Sequence, residues 1–387
     1  MNIPPPAPRF TRRSVLHAAG WAGTAGALGA LTACAPGSAA PDVGAADALT
    51  VGFVPIACSA PLLIADADEL FARHGVDVRL RKYSGWADLW TAYATGELDV
   101  AHMLSPMPVA INAGATDATR PTELAFTQNT NGQALTLAAR HVGTVREVAD
   151  LKGMVLGIPF EYSVHALLLR DYLVAGGLDP VADVELRLLR PADMVAQLEV
   201  ETIDGFIGPE PFNQRALQSG AGRMFELTKD MWDGHPCCSV ALAKDFRDAR
   251  PGHAAGLVAA LDEAARLIDD PANAERLSPV LAQEKYLNQA EHLITPGLTG
   301  HYTDWDGHHR QDPDYLSYGD PTDPTAITWM SAQIARWDLG GDAIVAHNAE
   351  SVIQAARAVL PADLDAAARP VTVNGVTFDP AHPTEGF

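Results

Sequence analysis

Short apolar runs rich in β-branched residues alternate along this chain with longer stretches whose apolar positions recur at helical spacing. Leu49-Thr50-Val51-Gly52-Phe53-Val54 is the first run and predicts a buried strand. Pro61 then opens a helix that stops at Gly75, since proline is tolerated in a first helical turn and glycine favours the end. Residues 76–80 alternate as a second strand, residues 88–95 form a helix ended by Gly96, and residues 98–101 start a third strand. The order returns with a strand over 154–158, a helix over 165–175 stopped by Gly176-Gly177, a strand over 184–188, a helix opened by Pro191 and a strand over 205–207. Strand and helix in alternation argue for parallel sheets with helices on both faces. The pattern occurs twice, over about 49–130 and about 145–235, with no sequence repeat between the halves. Two α/β lobes with a crevice between them follow, and ligands bind such sheets outside the carboxyl ends of the strands.

From Gly252 the pattern is mostly helical, with helices predicted over 254–268, 326–337 and 343–359. Residues 302–324 are aromatic and rich in Asp and Pro, which predicts a loop. Asn374-Gly375, inside Val371 to Phe378, is a hairpin signal.

The N-terminus reads as an address. Thr11-Arg12-Arg13-Ser14-Val15-Leu16-His17 is similar to a twin-arginine export motif, and the Ala- and Gly-rich stretch after it ends in Leu31-Thr32-Ala33-Cys34, which resembles a lipobox. A spanning helix is the alternative on length alone. The arginine pair and the small-residue end favour a signal peptide over 1–33, with Cys34 as lipid anchor and 34–48 as a Pro- and Gly-rich tether. The expected location is outside the cytoplasmic membrane, anchored to it by lipid, facing the periplasm or the cell exterior.

Composition narrows the classes further. Of 387 residues, 48% are hydrophobic and 19% charged, enough for a sizeable core and too apolar for a disordered chain. Lys and Arg number 27 against 48 Asp and Glu, a net charge of −21, which excludes a general nucleic-acid binder because phosphate contact needs clustered basic residues. An anionic ligand would need a locally positive pocket inside this negative protein.

No P-loop, no G-x-S-x-G elbow and no H-E-x-x-H occur in the sequence, so no cofactor and no catalytic residue is expected. No metal is expected either. His301, His308 and His309 sit in an Asp-rich stretch without ligand spacing, and the cysteines form no C-x-x-C pair. Cys58 follows the first strand, while Cys237 and Cys238 are adjacent. Three readings of these thiols stay open: buried small hydrophobes, a disulfide permitted by export, or Cys58 and Cys238 facing each other across the crevice as soft ligands or hydrogen-bonding walls.

Several ordered motifs resemble one family. They are Gly85-Trp86-Ala87, LDVAHMLSPMP from Leu98, QNTNGQALTL from Gln128, HALLLRDYLVAGGLDP from His165, DGFIGPEPFNQRA from Asp204 and WDGHP from Trp232. Together they are similar to the solute-binding subunits of nitrate- and bicarbonate-type ABC importers, within the wider family of sulfonate, taurine and thiamine-pyrimidine binders. The resemblance implies a periplasmic-binding-protein type II fold, with two α/β lobes joined by two crossover strands and a helical C-terminal part. It divides the chain into a first lobe of 49–133 and 240–387 and a second of 134–239. It implies a monomer that closes on a small polar solute or ion and presents it to a membrane permease with its ATPase, without chemistry. A sensory module for a membrane kinase, or an enzyme like the thiamine-pyrimidine synthases, are the alternatives. By the resemblance, Trp86, Gln133 and His165 line the ligand site. Cys238 stands where nitrate-binding members carry a Lys, Cys58 where they carry an acid, and Glu161 where they have a Pro-Gly run, so nitrate itself is not the expected ligand.

Overall fold

A computed structural model describes residues 48–115, 120–319, 321–339, 344–364 and 366–385. The expected signal peptide, Cys34 and the tether up to residue 47 lie outside the described residues. The strands are, in order, β1 (Leu49–Phe53), β2 (Val78–Lys82), β3 (Val100–Leu104), β4 (Thr122–Asn131), β5 (Gln133–Ala138), β6 (Val155–Ile158), β7 (Glu185–Leu188), β8 (Gly205–Pro209), β9 (Gly222–Leu227) and β10 (Pro236–Ala243). Five short ones follow: β11 (His301–Thr303), β12 (His309–Gln311), β13 (Leu316–Tyr318), β14 (Val371–Val373) and β15 (Val376–Phe378).

One sheet has the order β13-β4-β10-β3-β1-β2 and the other β7-β6-β8-β5-β9. Within each, three strands linked through helices run parallel: β2, β1 and β3 in the first, β7, β6 and β8 in the second. The strands that connect the sheets, β4 and β10, β5 and β9, lie antiparallel to their neighbours. The all-parallel sheets expected from the pattern are therefore mixed. A helical crossover returns the chain to the end it started from, whereas a strand arriving from the other lobe enters from the opposite end.

The first crossing is a two-residue kink. Asn131 and Gly132 both have left-handed backbones, with φ of 55° and 81°. A Cβ on Gly132 would lie 2.3 Å from Leu316 Cδ1, so both the angle and the space there call for glycine. The second crossing runs from β9 through the short helix Thr228–Met231 to β10. Asn131 binds the two crossings together. Its N–H donates to His235 O at 3.0 Å, its Oδ1 accepts from Gly234 N at 2.9 Å, and its Nδ2 donates to Asp233 Oδ1 at 3.1 Å. Gln133 is consequently the first residue of the second sheet, and Cys237 and Cys238 belong to the first sheet.

Helix and strand edges follow the punctuation, with three departures, one of which is that the helix predicted over 343–359 begins at Ala349, behind the Asn348 cap. The helix predicted from Pro61 to Gly75 is two helices, Ala60–Ala67 and Leu70–Arg73, separated by a left-handed Glu69. Asp66 and Asp68 at that break are held by the Tyr286 hydroxyl and by Arg276, the latter at 3.0 Å. The predicted loop 302–324 contains the β11–β12 hairpin and β13, which adds an edge to the first sheet beside β4. Strands of three residues are too short to show a period of two. The β14–β15 hairpin turns at Asn374-Gly375 as predicted, both residues having positive φ. The long helix Pro251–Asp269 buries Leu257, Leu261 and Ala264 and packs on the Ala60–Ala67 helix. Each fully buried leucine contributes about 1.5–3 kcal/mol. No described helix is long and apolar enough to cross a membrane.

Candidate functional site

The turn after β1 is pinned from both lobes. Ser59 Oγ donates to Ile56 O at 2.7 Å, Ala57 N donates to Glu210 O at 2.8 Å, and the Tyr318 hydroxyl donates to Ala57 O at 3.3 Å. Cys58 is fixed by this turn and fully buried. Cys237 and Cys238 follow each other on β10, where successive side chains would ordinarily point to opposite faces. The β10–β4 register shifts on both sides of Cys238, and such an irregularity lets neighbouring side chains turn toward one side. Their Sγ atoms lie 3.7 Å apart, and the Sγ atoms of Cys58, Cys237 and Cys238 all lie within 4.8 Å of one another. None of the three is in a disulfide.

The second lobe supplies the polar partners. Ser163 caps the helix Val164–Ala175, accepting from Ala166 N at 3.0 Å, and so fixes His165 in the first turn. His165 Nε2 is 4.0 Å from Cys237 Sγ. Gln133 Nε2 is 3.9 Å from Cys58 Sγ and also donates to Asn131 O, while its Oε1 accepts from Thr228 Oγ1 at 3.3 Å. Cys58, Gln133, His165 and Cys238 are thus brought together, with Cys237 among them. Of the three readings left open for the thiols, the one that sets Cys58 and Cys238 on opposite sides of the crevice does not hold. Both hang from the first sheet, because β10 already begins at Pro236.

Burial sets the charge state of the cluster. Desolvation pushes the Cys237 and Cys238 thiols well above their ordinary range. Burial alone would raise Cys58 too, but donation from Cys237, Cys238 and the Gln133 amide outweighs it and holds Cys58 well below the usual thiol range. Of the three sulfurs, Cys58 is therefore the one whose ionisation the cluster favours most. Burial, assisted by His235, pushes His165 down to about 3, so its ring is neutral at pH 7.

Trp86 opens the helix Trp86–Ala94 and is buried, and its Nε1 has no hydrogen-bond partner among the described residues. His165 Nδ1 is buried without a partner in the same way. Such a group costs about 1–3 kcal/mol when left unpaired, so two of the positions implied by the resemblance hold unspent donors or acceptors. The lobes touch beside Trp86: a Cβ on Gly85 would come within 3.0 Å of Arg190 Cγ, and Arg190 caps the second-lobe helix Pro191–Glu199. Trp90 meets Phe160 and Tyr162 across the same seam. Glu161 is partly exposed between those two aromatic residues in sequence and is not one of the groups that converge on the thiols.

Two buried polar side chains escaped the sequence reading, and a third, Glu210, is read from its flanking prolines as structural at the hinge side of the cleft. Gln128 on β4 has no partner for either side-chain atom, and His102 on β3 has none for Nε2. His102 interrupts an otherwise apolar strand, which is the signal that could have marked it; Gln128 lies in a run of polar residues and carries no such signal. Glu210, flanked by two prolines, is fully buried; burial pushes its carboxyl up to about 7 although the Tyr315 hydroxyl and Gln214 N–H donate to it. The histidines of the Asp-rich stretch are bonded locally instead, His301 to Thr299 and His309 to Thr303.

Comparison with known proteins places the chain. The model of the NMT1-like family matches residues 44–282. The nitrate/nitrite binding protein NrtA of Synechococcus elongatus is 31% identical over 337 residues, covering 77% of this chain and 76% of that protein. The bicarbonate transport ATP-binding protein CmpC of the same species is 32% identical over 302 residues, covering 75% of this chain; the chain spans 45% of that relative's length. The crystal structure of the periplasmic nitrate-binding protein NrtA from Synechocystis has the same fold, with a TM-score of 0.80 at 24% identity over 87% of this chain and 96% of that one. The matched segment holds Trp86, Gln133, His165 and all three buried thiols, and the chain belongs to the NMT1-like family.

Proposed function

We propose that this protein is the extracytoplasmic solute-binding component of an ABC importer. It captures a small polar solute or ion by hinge closure and delivers it to a membrane permease and its ATPase, performing no chemistry itself. The observation that carries this reading is the enclosed polar junction where the two lobes meet. Cys58, Cys237 and Cys238 come from one lobe and Gln133 and His165 from the other, and they converge beside the two crossings that join the lobes. A junction of this kind binds by shifting an open–closed equilibrium, because closure is what assembles it. The named activities of the relatives, binding of nitrate and nitrite and transport of bicarbonate, support a small solute of that class. Nitrate itself is disfavoured because no Lys or Arg of the described residues is among the converging groups and the Cys58 thiol, donated to by its neighbours, is held well below the usual thiol range. A two-lobe division, the ligand role of Trp86, Gln133 and His165, and a monomeric state are part of this proposal. The boundaries expected at 133/134 and 239/240 move to the crossings themselves, because Gln133 already pairs in the second sheet and Pro236 to Ser239 already pair in the first. So is lipid anchoring through Cys34 after twin-arginine export.

Native mass spectrometry of the protein isolated from its own envelope, with small-angle scattering before and after solute removal, tests the reading. A co-purified small solute whose removal expands the particle is expected; a particle that neither carries nor responds to any solute would overturn it. Cys34→Ala should release the protein from the membrane, and Arg12→Lys with Arg13→Lys should block export.

A further inference from the structure

The three converging sulfurs form more than a packing contact. A cysteine used as a small hydrophobe needs only apolar neighbours. Here three thiols face one another, a ring nitrogen looks at one of them and an amide N–H at another. An ion bonded to two sulfurs at about 2.3 Å in a tetrahedral site holds them about 3.8 Å apart. Cys237 and Cys238 stand at 3.7 Å, and all three Sγ atoms fit within 4.8 Å. The fourth corner, a nitrogen bonded at about 2.0 Å, would lie about 3.6 Å from a sulfur. His165 Nε2 is 4.0 Å from Cys237 Sγ.

We propose that Cys58, Cys237 and Cys238 bind Zn²⁺ through their sulfurs and that His165 Nε2 completes a tetrahedral site when the lobes close. The inference rests on the importer reading and names, within its small polar solute or ion, a thiophilic metal cation in place of the relatives' oxyanions. Three sulfurs and one imidazole nitrogen in tetrahedral arrangement select zinc among the common divalent ions. Binding releases the S–H protons to solvent and involves no change of oxidation state. The first lobe, through the turn after β1 and the bulged β10, offers all three sulfurs. The second lobe adds one weaker donor, so opening removes His165 and exposes the ion to exchange. Gln133 Nε2, 3.9 Å from Cys58 Sγ, and Asn129 Oδ1, accepting from Cys238 N at 3.2 Å, orient the sulfur-bearing residues from outside the site.

The test uses the full chain, reduced and handled without oxygen, with Zn²⁺ itself as the probe. One ion per chain is expected, and X-ray absorption should give three sulfurs at about 2.3 Å and one nitrogen at about 2.0 Å. In competition with a coloured chelator, Cys58→Ser, Cys237→Ser and Cys238→Ser should each weaken binding by about 100-fold or more, since outer-sphere losses alone reach 10–100-fold. His165→Gln should keep the three sulfurs, lose the nitrogen and leave the scattering profile expanded in the presence of Zn²⁺. Zn²⁺ should also protect all three thiols of the unaltered protein from maleimide, a measurement that needs no variant to fold. Wild-type binding no tighter than that of Cys58→Ser would overturn the proposal. A disulfide among the three in protein taken from the envelope would do the same, as would a Cu⁺ site of sulfur alone that excludes Zn²⁺. If an organic solute or an oxyanion is found in the closed form and Zn²⁺ fails, the metal proposal falls while the importer reading stands. If nothing closes the lobes, both fall.

Discussion

The Trp90 indole stacks on the Tyr162 ring across the seam between the lobes, with centroids 5.6 Å apart and planes 17° from parallel. Trp90 belongs to a first-lobe helix and Tyr162 to the turn that leads into the helix of His165. Phe160 adds a tilted contact to Trp90 at 5.7 Å. Under the proposed hinge closure, opening the lobes would separate these rings, so they would act on the hinge equilibrium and not on the ligand.

Trp90→Ala should therefore weaken solute binding without touching the solute. An aromatic pair contributes about 0.5–1.5 kcal/mol beyond its buried area, which shifts the closed population by roughly 2- to 13-fold. Isothermal titration should show a loss of that size, and scattering should show a larger radius at half-saturation. Tyr162→Ala should give the same result. A loss in affinity with an unchanged radius would assign these rings to packing alone.

Nitrate should bind the wild type weakly or not at all. A like charge about 4 Å from an anion costs roughly 4 kcal/mol at an effective dielectric of 20, and Cys58, its thiol held well below the usual range by donation from its neighbours, is the group of the cluster that most readily carries one. Cys238→Lys introduces an ammonium among the remaining sulfurs. That variant should lose Zn²⁺ and gain measurable nitrate binding by calorimetry at pH 8. Sub-micromolar nitrate binding by the unaltered protein would show that the charge reasoning misjudges the site.

Tyr315→Phe should destabilise the protein by about 1–3 kcal/mol, the cost of leaving a buried polar group unpaired. The hydroxyl donates to the buried Glu210 carboxyl, and Glu210 O in turn accepts from Ala57 N in the turn that holds Cys58. Urea unfolding measures the loss. A change below about 0.5 kcal/mol, the usual range for neutral surface substitutions, would mean that another donor serves the carboxyl.

Acid should destabilise the fold through His102. Burial pushes this ring from 6.5 down to about 3. The unfolded chain then binds more protons than the folded one between those values, so the stabilisation is complete above about pH 6.5 and is lost as pH falls toward 3. The slope is about 1.4 kcal/mol per pH unit for one ring. His102→Gln should flatten urea-derived stability between pH 6 and pH 4 by up to that amount. An unchanged slope would show that His102 meets water in the native state.

The alternation of strand and helix was legible because it depends on local physics. Apolar periods, Pro61 and Pro191 in first turns, and the Asn374-Gly375 turn each act within a few residues, and the structure follows them. The antiparallel crossing strands were not legible, since direction depends on which lobe a strand comes from. The break at Glu69 and strands as short as Leu316–Tyr318 leave no periodic trace either.

The sequence by itself determined which side chains were candidates: Cys58, Gln133, His165 and Cys238 stood out by type and by motif, and all four meet in one buried junction. Only the tertiary structure decided how they meet. Cys58 is about 180 residues from Cys237 and Cys238 in the chain, too far for any spacing rule to pair them. It takes the central position of β10 between β3 and β4, and a register shift at Cys238, to bring both neighbouring sulfurs to Cys58. A strand's own sequence would turn Cys237 and Cys238 apart; pairing with two other strands turns them together, because register is a property of the sheet and not of the strand.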